Sequence, residues 1–207
     1  MPRMATIIPT ISALELQQIN RPFDGPDWIF EIKYDGFRSL ARIESGVCRL
    51  ISPNDNAFKR FSDLAKAIPG DITADDAVLD GEIVVLDSNG QSLFYELMRS
   101  RAVPIFAAFD LLWLNGTDLR DQPLLERKRR LRRIVRKRAK RMLYVDHIKQ
   151  NGKAMFAEVC KRDMEGIVAK FAISRYKSVH RRSPWIKIKN AKYTQKEGCG
   201  EMFNRHR

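Results

Sequence analysis

The chain is poor in the residues that mark metal centres and covalent cross-links. Its three cysteines, Cys48, Cys160 and Cys199, are too scattered and odd in number for a disulfide framework or a zinc-ligand spacing. They read as reduced thiols in packing or surface positions. The three histidines, His147, His180 and His206, are equally dispersed and suit surface or packing roles better than a shared catalytic task. No stretch nears the roughly 20 continuous apolar residues of a membrane helix. The start, Met1–Leu14, lacks the apolar run and cleavage pattern of a secretory signal. A cytoplasmic protein without membrane contact is the expectation. At 207 residues with 44% hydrophobic content, the chain is long enough to bury a proper core.

Acidic residues are also scarce, 25 against 38 Lys and Arg, which leaves a net charge of +13. The excess is local. From Arg127 to Arg141, eleven of fifteen residues are Lys or Arg and none is acidic; removing those eleven charges from +13 leaves +2 for everything else. A dense cationic strip gains affinity for a polyphosphate backbone by releasing condensed counterions. Leu131, Ile134 and Val135 give it only a thin apolar seam, so most of this expected helix faces water or phosphate.

Hydrophobic patterning places strands at Trp28–Ile32 and Ser39–Ile43 on either side of a turn at Asp35-Gly36, and another at Val47–Ser52. Phe58–Ile68 has helical spacing. Ala77–Leu79 and Glu82–Leu86 read as strand pieces around Asp80-Gly81. Ile105–Leu114 is an apolar strand that ends in an Asn115-Gly116 turn. A helix near Gly152–Arg162 and strands at Gly166–Phe171 and Trp185–Lys189 follow. Hairpin-linked strands with intervening helices predict an α+β fold of antiparallel sheets flanked by helices.

The chemistry concentrates in Lys33-Tyr34-Asp35-Gly36-Phe37-Arg38, a Lys-x-Asp-Gly-x-Arg pattern. It puts an amine at a strand end beside a tight turn that admits a ligand close to the backbone, with a carboxylate and a guanidinium nearby. Asp80-Gly81-Glu82 sits between apolar segments, and Glu165-Gly166-Ile167-Val168-Ala169-Lys170 opens another strand. In Trp185-Ile186-Lys187-Ile188-Lys189, alternation sends both ammonium groups to one face. Four strand or turn elements thus each present Lys or Glu. Such an inventory suits a metal-complexed triphosphate, with carboxylates for a divalent ion and lysines for phosphate oxygens.

The order of these elements resembles the covalent nucleotidyltransferases, and their wording resembles the ATP-dependent DNA ligases. It is most similar to small bacterial ligases and the ligase domain of bacterial ligase D. Phe109-Asp110-Leu111-Leu112-Trp113-Leu114-Asn115-Gly116, followed by Leu124, Glu126 and Arg127, looks like the ligases' adenine-side segment, and Glu165–Lys170 matches their Glu-Gly-hydrophobic-hydrophobic-x-Lys element. The similarity runs from about Trp28 to about Asn190. It implies a nucleotidyltransferase (ATP-grasp-like) domain over residues 1–190, a basic tail over 191–207, ATP and Mg²⁺ or Mn²⁺ as cofactors, and nicked duplex DNA as partner. It further implies a bacterial, nucleoid-associated enzyme, expected to be a monomer. By resemblance, Lys33 attacks the α-phosphorus of ATP to form a lysyl-adenylate, and AMP then passes to the 5′-phosphate at a nick. Glu31 receives the adenine amino group and Phe109 stacks on the base. Arg38 and Glu82 lie near the ribose and the reacting phosphate. Glu82 and Glu165 hold the metal, while Lys170 and Lys187 touch the α-phosphate; Lys189 carries less weight. Crowding by Lys170, Lys187, Arg38 and the metal is expected to lower the Lys33 pKa from its usual value near 10.4 and so free the nucleophile.

Two departures stand out. Ser52-Pro53-Asn54 replaces the Ser-Arg-Asn usual in the ligases, removing a guanidinium and a backbone donor. The segment from Ala191 to Arg207 is too short for the five-stranded OB-fold barrel that follows in most of the family, so the chain is expected to be either an excised or truncated piece or one that works with an OB-fold or repair-protein partner, and reaction with free ATP is expected to be slow. The competing readings are an RNA ligase or capping-type guanylyltransferase, and a catalytically degenerate module that binds nucleic acid through the basic run.

Overall fold

The structure, a computed structural model, describes residues 8–177 and 183–195; His180, Cys199, His206 and the tail past residue 195 lie outside the described residues. Two sheets carry the fold. In the first, β1 (Gln17–Ile19), β11 (Trp185–Lys189), β10 (Gly166–Phe171), β2 (Gly25–Ile32) and β9 (Ile148–Gln150) lie side by side in that order. The second runs β4 (Val47–Ile51), β3 (Phe37–Glu44), β5 (Ala77–Val84), β6 (Ile105–Leu114), β7 (Thr117–Asp118), with β8 (Met142–Tyr144) also paired to β6. The helices are α1 (Ser62–Ala67), α2 (Phe94–Met98), α3 (Leu124–Ile134) and α4 (Gly152–Lys161). The expected α+β class with mostly antiparallel sheets holds; β1–β11 and β6–β8 pair parallel.

The two-residue period of the strands sorts side chains cleanly between faces. In the first sheet, Phe30, Ile167, Ala169 and Ile188 pack with Val159 and Met164 beneath α4. The alternate residues Ile29, Val168 and Trp185 turn the other way and share a core with Leu40, Val78 and Leu112 of the second sheet. The far side of the second sheet buries Ala41, Ile43, Leu79, Ile83 and Phe106 against Leu64, Ile68 and Leu131. The polar residues interleaved with Ile29 and Val168 therefore face into the space between the sheets.

Several expectations need correcting. The strands around Asp35-Gly36 do not form a hairpin: β2 belongs to one sheet and β3 to the other, so Lys33–Gly36 is the crossing between them. Gly36 is required there because a Cβ would lie 2.2 Å from the Ile83 carbonyl oxygen. Asp80-Gly81 does not interrupt a strand; β5 runs through it, with register shifts against β6 between Val78 and Leu79 and between Asp80 and Gly81. The helix expected over 58–68 is broken into short turns around α1, with Pro69 entering at its end. The basic helix stops at Ile134, and Val135 bridges Ile72 in extended conformation.

α3 keeps its amphipathic logic, with Leu124, Leu131 and Ile134 inward, Glu126 in the first turn and Arg132 and Arg133 in the last, complementing the helix dipole. It also drives a cation into the core. Arg127 is fully buried and grips Asp110 of β6 through two hydrogen bonds of 2.8 and 2.7 Å, while its Nη1 donates to the carbonyls of Gln122 and Ser174. Removing one partner of such a pair strands a charge in a dry interior, so Arg127→Met is expected to lower stability by about 3–5 kcal/mol. Arg129→Met, at an exposed position on the same helix, is expected to cost no more than about 1 kcal/mol. Urea unfolding of the two variants checks this; equal losses would contradict it.

Candidate active site

The space between the sheets opens into a cleft of about 270 Å³ lined by Glu31, Lys33, Lys170, Trp185 and Lys187 from the first sheet and by Arg38, Glu82 and Phe109 from the second. Leu16, Ile32, Tyr34 and Val168 complete its wall. All the single-residue roles expected from the sequence except Glu165 therefore fall in one cavity. Glu165 joins through Lys33, whose Nζ lies 2.6 Å from its Oε2. Alternation explains the convergence: Glu31 and Lys33, Val168 and Lys170, and Trp185 and Lys187 are the cleft-facing members of neighbouring chain segments.

Lys33 is fixed by its backbone as well as its side chain. Its N–H donates to the Gly166 carbonyl at 2.9 Å. Gly166 has φ of +150° and leaves no room for a Cβ, which would lie 2.2 Å from the Ile188 carbonyl oxygen. Glu165 also receives Lys189 at 3.4 Å, and its carbonyl accepts from the Asn190 N–H. The neighbouring Asp35 accepts from the Tyr193 hydroxyl at 3.1 Å, and its N–H donates to Ser92 Oγ. Burial pushes the Asp35 carboxyl up, and the nearby Glu165 charge pushes it further.

The expected crowd of cations around Lys33 is not what the structure shows. Its contact is a carboxylate, and two of the cations are claimed by carboxylates of their own. Arg38 holds Asp80 with Nε and Nη2 at 3.2 and 2.8 Å and donates Nη1 to the Leu14 carbonyl at 2.6 Å; Tyr176 completes the cluster with a 2.6 Å hydrogen bond to Asp80. Lys170 lies 2.6 Å from Glu31, its ammonium 4.2 Å from the Phe109 ring centre and 4.0 Å from that of Trp185. Burial pulls Lys170 down to about 8 against the opposing pull of Glu31. Trp185, read from the sequence only as a strand residue, makes the aromatic wall with Phe109, edge to face at 5.8 Å.

Sequence reading also misplaced Lys128. It belongs to the basic run, yet it is buried, 2.6 Å from Glu31 on the side opposite Lys170 and bonded to the Val145 carbonyl at 2.9 Å. Its neighbours Arg129 and Arg130 pair with Glu126, and Arg132 pairs with Asp146. The run thus divides between core, paired surface charges and exposed cations at Arg133, Arg136, Lys137, Arg138 and Lys140. Arg136 spends its Nε on the Ile72 carbonyl. Ser52-Pro53-Asn54 forms the turn after β4, where Ser52 Oγ accepts from the Asn56 N–H.

A model of the ATP dependent DNA ligase domain matches residues 10–189 of the chain. The chain belongs to that family. It is 34% identical over 191 residues to the multifunctional non-homologous end joining protein LigD of Pseudomonas aeruginosa, an alignment covering 89% of this chain and 22% of that protein. With the SPbeta prophage-derived DNA ligase-like protein LigB of Bacillus subtilis it shares 29% identity over 193 residues, covering 89% of this chain and 69% of that protein. The ligase domain from M. tuberculosis LigD has a similar structure, with a TM-score of 0.67 at 27% identity over 86% of this chain and 59% of that one. A mycobacterial DNA ligase D complexed with ATP and MES gives 0.64 at 27% identity, over 84% and 60% of the two chains. The chain spans about a fifth of the length of the LigD relatives it matches. Among the described residues, no helix is long and apolar enough to cross a membrane.

A divalent ion fits the ligase cleft only in company. Among the described residues no group of three or more His, Cys, Asp or Glu side chains could hold a metal. Glu82 and Glu165 are two carboxylates, and Mg²⁺ is commonly held by one or two of these together with phosphate oxygens and water. Burial pushes the Glu82 carboxyl up to about 8; Lys33 and Arg38 pull it down, while Glu165 and Asp80 push it up. A carboxyl kept neutral by burial, against the weaker pull of Lys33 and Arg38, is one that an incoming cation would ionise. The ligand-free protein holds this proton between about pH 4.5 and 8, where the unfolded chain has released it. Stability is therefore expected to fall as pH rises through that window, and Glu82→Gln to remove part of the fall. Urea midpoints at pH 5 and pH 8 without metal or nucleotide check this; identical slopes for the two proteins would contradict it.

Proposed function

We propose that the domain forms a lysyl-adenylate at Lys33 and passes AMP to the 5′-phosphate of nicked duplex DNA. The observation that carries the reading is the Lys33 amine held 2.6 Å from Glu165 beside a cleft that also collects Glu31, Glu82, Phe109 and Lys187. Phe109, with Trp185 set edge to face beside it, supplies the face for a base, and Glu31 an acceptor for its amino group. Arg38, braced by Asp80, stands near both rings at 5.8 Å, on the ribose side of this arrangement. Lys187 is assigned to the α-phosphate. Lys170, paired with Glu31 over the aromatic wall, is assigned to the base end instead.

In the first step the Lys33 nitrogen attacks the α-phosphorus, a P–N bond forms, and the bond to the pyrophosphate oxygen breaks in line. Glu165, already in contact with the amine, orients it and is the nearest acceptor for the proton it must lose. Lys187 steadies charge growing on the non-bridging oxygens. Mg²⁺, held by Glu82 and Glu165, would supply further neutralisation of the triphosphate. The exposed cations between Arg133 and Lys140 offer phosphate contacts to the duplex.

Incubation with α-labelled ATP and Mg²⁺ is expected to label the protein, and addition of nicked DNA to discharge the label. Lys33→Ala is expected to abolish labelling, and Lys187→Ala to slow it by about 10²–10³. Undiminished labelling of Lys33→Ala would refute the nucleophile. Equal labelling by GTP would favour the capping-type reading, and binding of duplex DNA without any adenylate the degenerate one.

A further inference from the structure

The Glu31–Lys170 pair has a backing that neither the reaction nor the family resemblance assigns. Glu31 is buried, with its two oxygens divided between two lysines: Oε2 faces Lys170 and Oε1 faces Lys128, both at 2.6 Å. The lysines are not equivalent. Lys170 lines the cleft with Glu31, whereas Lys128 does not. Lys128 is anchored from behind, its Nζ donating to the Val145 carbonyl at 2.9 Å and lying 4.7 Å from the Tyr144 ring centre. Both lysines meet Glu31 as ion pairs outside hydrogen-bonding angles: Glu31 Oε1 and the Lys170 ammonium are each buried without a hydrogen-bond partner, so of the two lysines only Lys170 is left with an unused donor at the cleft wall.

A carboxylate beside an ammonium offers an acceptor next to a donor. The six-membered edge of adenine carries the complementary pair, an amino donor next to the N1 acceptor. Guanine reverses both, with a carbonyl oxygen next to an N–H, and would meet acceptor with acceptor and donor with donor. The orientation of Glu31 thus sets which purine is welcome.

We propose that Lys128 is a positioning residue for base selection: from its place behind the cleft it clamps Glu31 so that Glu31 and Lys170 present an acceptor and a donor side by side to the adenine edge. It touches neither base nor phosphate. The inference rests on the adenylation reading above, and it removes Lys128 from the nucleic-acid strip to which its sequence position assigns it.

The test compares the efficiency of adenylate-type labelling by ATP with that by purine riboside triphosphate, which lacks the 6-amino group. The unsubstituted protein is expected to prefer ATP by about 10²-fold or more, as sites built around a buried hydrogen bond do. Lys128→Met is expected to shrink that preference at least tenfold, chiefly through a higher KM for ATP, and Lys128→Arg to restore part of it. Lys187→Ala is the control, slowing both nucleotides alike. If Lys128→Met does not fold, Lys128→Gln, which keeps a donor without the charge, is measured in its place. A Lys128 variant that slows both nucleotides equally, or the failure of both Met and Gln variants to fold, would make the residue merely structural and overturn the proposal. A protein that labels with neither nucleotide would instead sink the adenylation reading itself.

Discussion

The site depends on Lys33 being tied twice to one dipeptide. Its backbone N–H is held by the Gly166 carbonyl and its amine by the Glu165 carboxylate, 2.9 and 2.6 Å away. Lys33 begins the crossing from one sheet to the other, so this double tether fixes the amine at the point where the chain leaves the first sheet. Everything else in the cleft is referred to that hinge of backbone. Glu31 is two residues before it, and Arg38 enters the second sheet five residues after it. Lys170 and Lys187 lie on β10 and β11 of the same sheet, Val168 of β10 standing between Glu31 and Lys187 in the register. The close approaches at Gly36 and Gly166, where a Cβ would strike a carbonyl, show how little slack the crossing has.

Charge in the cleft is arranged as pairs that a nucleotide must rearrange. In the ligand-free protein Lys33 rests on Glu165, Arg38 on Asp80 and Lys170 on Glu31, while Glu82 makes no ion pair of its own among the described residues. The proximity of opposite charges keeps the buried groups tolerable to the fold, since each would be costly alone. It also means that activation of the amine is not built into the resting protein by a ring of cations. On our reading, activation accompanies occupancy of the cleft, when a triphosphate and its ion take over Glu165 and Glu82.

Much of this was legible because the strands alternate. Gly166–Phe171, Trp185–Lys189 and Ile105–Leu114 are found where their patterns place them, and alternation in the first two predicts which lysines share a face. The family-like segments located Glu31, Lys33 and Glu82 at a strand end or beside a required glycine, and Phe109 within an unbroken apolar strand. What sequence could not reveal depended on sheet membership. Lys-x-Asp-Gly looks the same whether its turn closes a hairpin or links two sheets. Asp80-Gly81 looks like a break because Gly seldom sits mid-strand, yet register shifts against β6 absorb it. Lys128 was hidden by company: among eleven cations nothing in its local sequence distinguishes the two, Arg127 and Lys128, that enter the core. Only the partners Asp110 and Glu31, distant in sequence, do that.

The central claim is that the two-sheet crossing delivers one amine to the α-phosphorus. A crystal structure of the protein soaked with α,β-methylene ATP and Mg²⁺ measures this most directly. The account predicts the base stacked on Phe109 and the Lys33 nitrogen about 3–3.5 Å from the α-phosphorus, opposite the bridging methylene. A triphosphate bound elsewhere, or lying in the cleft with Lys187 or Lys170 nearer the phosphorus than Lys33, would contradict it.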